Sequence, residues 1–252
     1  MQGNGWPEQI KGSYQRLPLS MKTLVRPPVW ALALNTAGEF IEFTTNAKNI
    51  SVRYGVTGAF NMPHMPSTGV SGTDLYTFNN GKWEWMPGKF SFKDTVTYNF
   101  NNINASVSKL YRLYLPLYNG VKWLQVGVAR DASLAFAAAQ PSRPVVVYGT
   151  SIAQGGCASR PGLGWTAILE RSLNIPVINL GFSGNGRLEA PILNAMTEID
   201  ARAYILDCIP NLGDSISYPD AEVRKRIIDA VAILRKVRPA VPILLTEMEI
   251  GI

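Results

Sequence analysis

Along the first half of the chain, apolar and polar residues alternate with a period of two between about Leu24 and Ala129. Ile50, Val52, Tyr54 and Val56 fall on one side against Ser51, Arg53 and Gly55, and Val96, Tyr98 and Phe100 alternate with Thr95, Thr97 and Asn99. That spacing predicts strands with one buried face. Turn residues punctuate them. Asn79-Asn80-Gly81 precedes KWEW, and Asn119-Gly120 between KLYRLYLPLY and VKWLQVGVA predicts a two-residue hairpin. An antiparallel β-sandwich of roughly seven or eight short strands fits this pattern.

After a stretch rich in Ala, Gln, Ser and Pro (residues 131–144) the rhythm changes. Apolar runs now alternate with helical ones: VVVYG then GWTAILERSL, PVINLGF then RLEAPILNAM, AYILDC then PDAEVRKRIIDAVAILRKV, then PILLTEME. Within the third helical stretch Val223, Ile227, Val231 and Leu234 share one face. Strands that are apolar throughout are covered on both sides, so this half predicts a parallel sheet between helices. The chain divides, on this reading, into a β-sandwich over residues 1–135 and an α/β domain over residues 136–252, the latter ending just after its fourth strand.

Composition narrows the function classes. With 252 residues and 46% apolar composition the chain can bury a large core, and it contains neither an apolar run long enough to span a membrane nor the apolar block of a signal peptide. The net charge of +6 is diffuse: residues 1–143 hold 14 basic against 7 acidic side chains, the remainder 10 against 11. Without a basic cluster, nucleic-acid binding is not expected. Cys157 and Cys208 are too few for a disulfide framework, and two small buried thiols are expected rather than a bridge. No cysteine, histidine and carboxylate cluster points to a metal, and no glycine-rich nucleotide loop points to a cofactor.

In a parallel sheet, ligands gather at the carboxyl ends of the strands. Ser151 follows the first strand after Gly149-Thr150, Gly184 follows the second, and Asn211 follows the third. Taken singly they read as a helix cap, a turn and a backbone hydrogen-bonding partner. Together they read as a nucleophile with three oxyanion donors: the Ser151 and Gly184 N–H groups and the Asn211 amide.

VVVYGTSIAQGG, INLGFSGNGRLE and LDCIPN resemble the first three sequence blocks of the SGNH (GDSL-like) esterase superfamily, whose Ser, Gly and Asn match Ser151, Gly184 and Asn211. MPHMPSTGVSGTDLY, ending in Gly72-Thr73-Asp74-Leu75-Tyr76, resembles the GxDLY domain of a bacterial subgroup. The resemblance implies a jelly-roll-like N-terminal domain, a flavodoxin-like hydrolase domain, hydrolysis of acyl esters such as acetyl groups on sugars, and a periplasmic or secreted setting. Thr150 stands where the first block usually has Asp. An acyltransferase and a non-catalytic carbohydrate-binding protein are the alternative readings. For the latter, an exposed row of Trp83, Trp85 and Trp123 is the sign to look for.

The superfamily's late Asp-x-x-His, which supplies the base and its orienting carboxylate, has no match here, and His64 is the single histidine. Three explanations follow: a longer protein whose base lies beyond residue 252, a lapsed or partner-completed enzyme, or His64 reaching Ser151 from the β domain. His64, Arg160 and Asn185 are the expected substrate-binding residues, while Asp207, Asp214 and Glu247 read as structural.

Overall fold

A computed structural model describes residues 1–104, 107–139 and 142–247. The N-terminal half contains β1 (Phe40–Thr45), β2 (Ile50–Val56), β3 (Asp74–Asn79), β4 (Lys82–Met86), β5 (Lys89–Phe92), β6 (Val96–Phe100), β7 (Lys109–Tyr114), β8 (Val121–Val128) and β9 (Leu134–Phe136). They form two antiparallel sheets, ordered β4-β3-β7-β1-β9 and β5-β6-β2-β8. Alternation decides what each sheet buries. Phe43, Leu75, Tyr111 and Leu113 of the first sheet meet Val52, Tyr54, Val96 and Phe100 of the second in one sandwich core.

Two sequence expectations fail in this half. Asn80 and Gly81, both at positive φ, do form the two-residue turn between β3 and β4, but Asn119-Gly120 is no hairpin. The strands on either side of it lie in different sheets, β7 beside β1 and β3, β8 beside β2. Asn119 is instead buried, its Oδ1 accepting from Thr57 and Gly58 N–H and its Nδ2 donating to Ala59 O and Ser71 Oγ. The residues after Leu24 are not a strand either. Arg26-Pro27-Pro28 opens helix α1 (Pro27–Ala33), because prolines tolerate only the first turn of a helix and remove strand donors.

The C-terminal half follows its predicted rhythm. Strands β10 (Val145–Gly149), β11 (Val177–Gly181), β12 (Ala203–Asp207) and β13 (Ile243–Leu245) form a parallel sheet ordered β11-β10-β12-β13. After the short α2 (Ser67–Val70) of the first half come α3 (Ser151–Gln154), α4 (Trp165–Leu173), α5 (Ala190–Glu198) and α6 (Asp220–Val237). One face of the sheet packs on α4 through Val145, Val147, Val177, Trp165 and Leu169. The other buries Val146, Tyr148, Leu180 and Leu206 with α5, α6 and, unexpectedly, Trp6, Leu17, Met21, Val29 and Ala33 from the start of the chain.

The two halves share a polar as well as an apolar seam. Arg16, fully buried, donates to the carbonyls of Leu32, Asn35, Asn179 and Gly181, tying the N-terminal segment to the end of β11. On the outer face of the larger sandwich sheet, Arg112 bonds Glu42 and reaches Glu170 of α4, with Tyr114 Oη donating to Glu170.

Candidate active site

Register brings the three strand ends together. Gly149 stands opposite Gly181 on one side and Asp207 on the other, so the residues that follow emerge at one level of the sheet. Thr150 donates its N–H to Asp207 O, at 3.0 Å, and its Oγ1 accepts from Ile152 N–H, capping α3. A short oxygen-bearing side chain is all that this cap needs, which is why Thr serves in a position often held by Asp. Ser151 is therefore the first residue of a helix launched directly from a strand, and it is half-buried.

The second strand end turns back over the first. Phe182 N–H donates to Gly149 O, and the N–H groups of Asn185 and Gly186 both reach Phe182 O. Gly184 sits at φ +68° with open space where a Cβ would be, and Gly186 packs so closely that a Cβ would lie 2.0 Å from Gly149 O. The first needs glycine for conformation, the second for space. Gln154 Oε1 accepts from Ser183 N–H while its Nε2 donates to Asn35 and to Leu117 O, so α3, the Gly184 turn and the sandwich half share one buried side chain.

The amide of Asn211 is oriented by its surroundings. Asn185 and Gly186 N–H point at one of its terminal atoms at 2.9 and 3.0 Å, which makes that atom the carbonyl oxygen. Its NH2 is thereby turned away from these donors and left as a donor itself. Among the described residues, the Ser151 and Gly184 N–H groups meet no acceptor. Three donors, the Ser151 and Gly184 N–H groups and the Asn211 NH2, thus follow three register-matched strand ends.

A base is not among them. Among the described residues no imidazole or carboxylate is hydrogen-bonded to Ser151 Oγ. His64 is exposed on the tight turn between Met62 and Met65, and no hydrogen bond joins it to Ser151. Its neighbours come near: Met65 packs with Leu117, Tyr118 and Ala158, and Tyr118 Oη donates to Ser151 O. Asp207 is buried, which pushes its carboxyl up; Oδ1 accepts from Thr246 Oγ1, and Oδ2 has no partner among the described residues. Asp214 is exposed and held below the usual carboxylate range by hydrogen bonds from Ser217 and Ile216, and Glu247 is exposed.

Two of the residues expected at the substrate have protein partners. Arg160 forms an ion pair with Asp74 at 3.1 Å and lies 4.1 Å over the Trp85 ring. Asn185 Oδ1 accepts from Arg26, itself paired with Glu189, and its Nδ2 donates to Ser183 O. Arg26 and Gln154 were not singled out from sequence, and Asp74 was named only as part of the Gly72-to-Tyr76 motif, since the partners of each lie far along the chain. The tryptophans form no common row: Trp83 lies against Arg112, Trp85 under Arg160, and Trp123 on the opposite sheet. Cys157 is exposed and Cys208 buried, both free, so the expectation of two buried thiols holds only for Cys208; Cys157 lies in the loop after α3 at positive φ. No helix among the described residues is long and apolar enough to cross a membrane.

Comparison with known proteins agrees with this architecture. A family described as GxDLY, the N-terminus of SGNH-hydrolase-type esterases, matches residues 1–134, and the GDSL-like lipase/acylhydrolase family matches residues 142–250. The chain belongs to the GDSL-like lipase/acylhydrolase family, in the group that carries a GxDLY N-terminal domain. It is similar to a candidate GDSL-like lipase from Bacteroides ovatus ATCC 8483, with 34% identity and a TM-score of 0.88 over 97% of this chain and 70% of that one. A salicylyl-acyltransferase from a tetracycline biosynthetic pathway shares the fold at 20% identity and TM-score 0.72, over 92% of this chain and 64% of that one. A family two carbohydrate esterase from Clostridium thermocellum shares it at 14% identity and TM-score 0.57, over 85% of this chain and 73% of that one. The comparison with curated proteins gave no match.

Proposed function

We propose that the protein is a serine esterase that forms an acyl-enzyme on Ser151 and takes short acyl, chiefly acetyl, esters, including those carried by sugars. Ser151 Oγ attacks the ester carbonyl and gives up its proton to solvent; the Ser151 and Gly184 N–H groups and the Asn211 amide receive the negative charge that builds on the carbonyl oxygen, and collapse of the intermediate breaks the ester C–O bond so that the alcohol leaves with a proton taken from solvent. The observation that carries the reading is the Asn211 carbonyl held by Asn185 and Gly186 N–H, which fixes the orientation of the amide and leaves its NH2 to act as a donor. Preorganised donors of this kind stabilise a developing oxyanion without reorganisation during the reaction. The sugar-linked class takes its support from the carbohydrate esterase that shares the fold.

None of the described residues offers Ser151 a base, so turnover by this polypeptide is expected about 10⁴-fold or more below that of a complete Ser-His-Asp set, with oxyanion stabilisation remaining. The test is incubation with 4-nitrophenyl acetate, followed by intact mass and peptide mapping. One acetyl group on Ser151, absent in Ser151→Ala, with slow release, is the expected result. Equal acetylation of Ser151→Ala would remove Ser151 from the mechanism, and brisk turnover abolished by Ser151→Ala would show that a base is in place. Repeating the reaction with an added alcohol separates hydrolysis from transfer by the product formed.

A further inference from the structure

Asp74, from the Gly72-to-Tyr76 segment of the sandwich half, is buried at the start of β3 and aims its carboxylate at the other half of the molecule. Oδ1 accepts from Trp85 Nε1 at 2.6 Å, and Oδ2 accepts from Gly162 N–H at 3.1 Å. Arg160 Nε lies 3.1 Å from the same Oδ2 as an ion pair, with its guanidinium over the Trp85 ring. One carboxylate thus holds Gly162 by a hydrogen bond and Arg160 by charge at close range, without a hydrogen bond of its own.

These two residues end the loop that begins at Ser151. Gly155 and Gly156 N–H both donate to Ser151 O, and Ala158 N–H donates to Gly155 O, so the loop coils back onto the serine. The sandwich half holds the same stretch at other points: Thr68 Oγ1 donates to Ser159 O and Tyr118 Oη donates to Ser151 O. Arg171 of α4 closes the far side by donating to Gly162 O while stacking on Tyr76.

We propose that Asp74 is a positioning residue for Ser151: by holding Arg160 and Gly162 it fixes residues 155–164 and, through them, the turn that displays the serine. This rests on Ser151 being the nucleophile. It gives the sandwich half a role in the chemistry of the other half without any contact to substrate.

The surroundings supply a readout that a merely structural carboxylate lacks. Asp74 is faced by Arg160 from the loop, Arg171 from α4, Tyr76 on its own strand and Tyr98 from β6. Burial outweighs the two arginines and pushes its carboxyl up to about 6. Lowering the pH through 6 therefore neutralises the grip on Arg160, while burial of the now neutral acid ceases to oppose folding. Positioning weakens without loss of stability.

The test uses the full chain labelled with ¹⁵N-tryptophan, together with Asp74→Asn, Arg160→Gln and Trp85→Phe, the last assigning the Trp85 indole signal. That signal is expected to titrate with a midpoint near pH 6 in the wild type and to stay flat in Asp74→Asn. At pH 7.5, amide hydrogen exchange of peptides spanning 155–164 is expected to quicken about tenfold in Asp74→Asn and Arg160→Gln, with β10 and β11 unchanged. Acetylation of Ser151 should fall in maximal rate with half-saturation unchanged. Exchange at 155–164 that stays at the wild-type rate, or quickens equally in both halves with a lowered Tm, overturns the proposal, as does a Trp85 signal that ignores pH. If Asp74→Asn fails to fold, Arg160→Gln decides the exchange result alone. If the wild type shows no acetylation, the esterase reading fails while the exchange and titration results still decide the role of Asp74 in holding the loop.

Discussion

Asn211 does two jobs with one amide: its carbonyl anchors the Asn185–Gly186 turn, and its NH2 is left to donate. Substitution can separate them. Asn211→Asp keeps an acceptor for both N–H groups but replaces the donor with an anion, so Ser151 acetylation should fall about 10²-fold or more while the Tm holds. Asn211→Ala should lose the rate and also about 0.5–1.5 kcal/mol of stability, because the Asn185 and Gly186 N–H groups lose their second acceptor and keep only Phe182 O. Thermal melts and acetylation rates on the two variants check this. At this scale the sequence marks Ser151, Gly184 and Asn211 because each follows a strand directly, whereas the protein partners of Arg160 and Asn185, namely Asp74 and Arg26, come from the other half of the chain and leave no trace in the local spacing.

Two Asn-Gly pairs make the same point for elements. Asn80-Gly81 lies between strands that pair with each other, and its positive φ values give the turn whose twist suits a hairpin. Asn119-Gly120 follows Pro116, which lacks an N–H, and the buried Asn119 side chain is bound to residues 57–59 and Ser71. The pair joins two sheets rather than two neighbouring strands. Asn119→Ala should therefore cost about 2–3 kcal/mol by removing the side-chain hydrogen bonds that hold Thr57, Gly58, Ala59 and Ser71 together. Asn80→Ala, at an exposed turn where φ is +48°, should cost only about 1 kcal/mol. Chemical denaturation of the two variants side by side gives the comparison. The Asn-Gly pair is the same at the two sites, and the difference lies in what surrounds it.

For the whole molecule, buried charge sets the pH response. Burial pushes Glu39 up to about 8 and Glu170 to about 7. A carboxyl whose folded pKa is raised binds more protons folded than unfolded, so its opposition to folding is full above the folded value and is relieved as the pH falls toward the ordinary carboxylate range. The Tm is expected to rise as the pH is lowered from 9 to 6, and Glu39→Gln should flatten the upper part of that rise. The same seam predicts the cost of losing Arg16: Arg16→Met removes four hydrogen bonds to carbonyls at the junction of the N-terminal segment and β11, for about 3 kcal/mol or more in denaturant unfolding.

Periodicity alone determined the two architectures, since period-two alternation and continuous apolar runs report directly on whether a strand is covered on one face or both. Motif position likewise placed Ser151, Gly184 and Asn211 at strand ends. Which strand lies beside which was a tertiary decision: sheet order and register bring Gly149, Gly181 and Asp207 to one level, and only then do the three residues follow matched strand ends at one edge of the sheet. The sharing of Trp6 to Ala33 with the α/β core and the grip of Asp74 on the loop after Ser151 were decided there too. Burial and long-range hydrogen bonding depend on neighbours in space, and the spacing of residues along a chain carries no record of them.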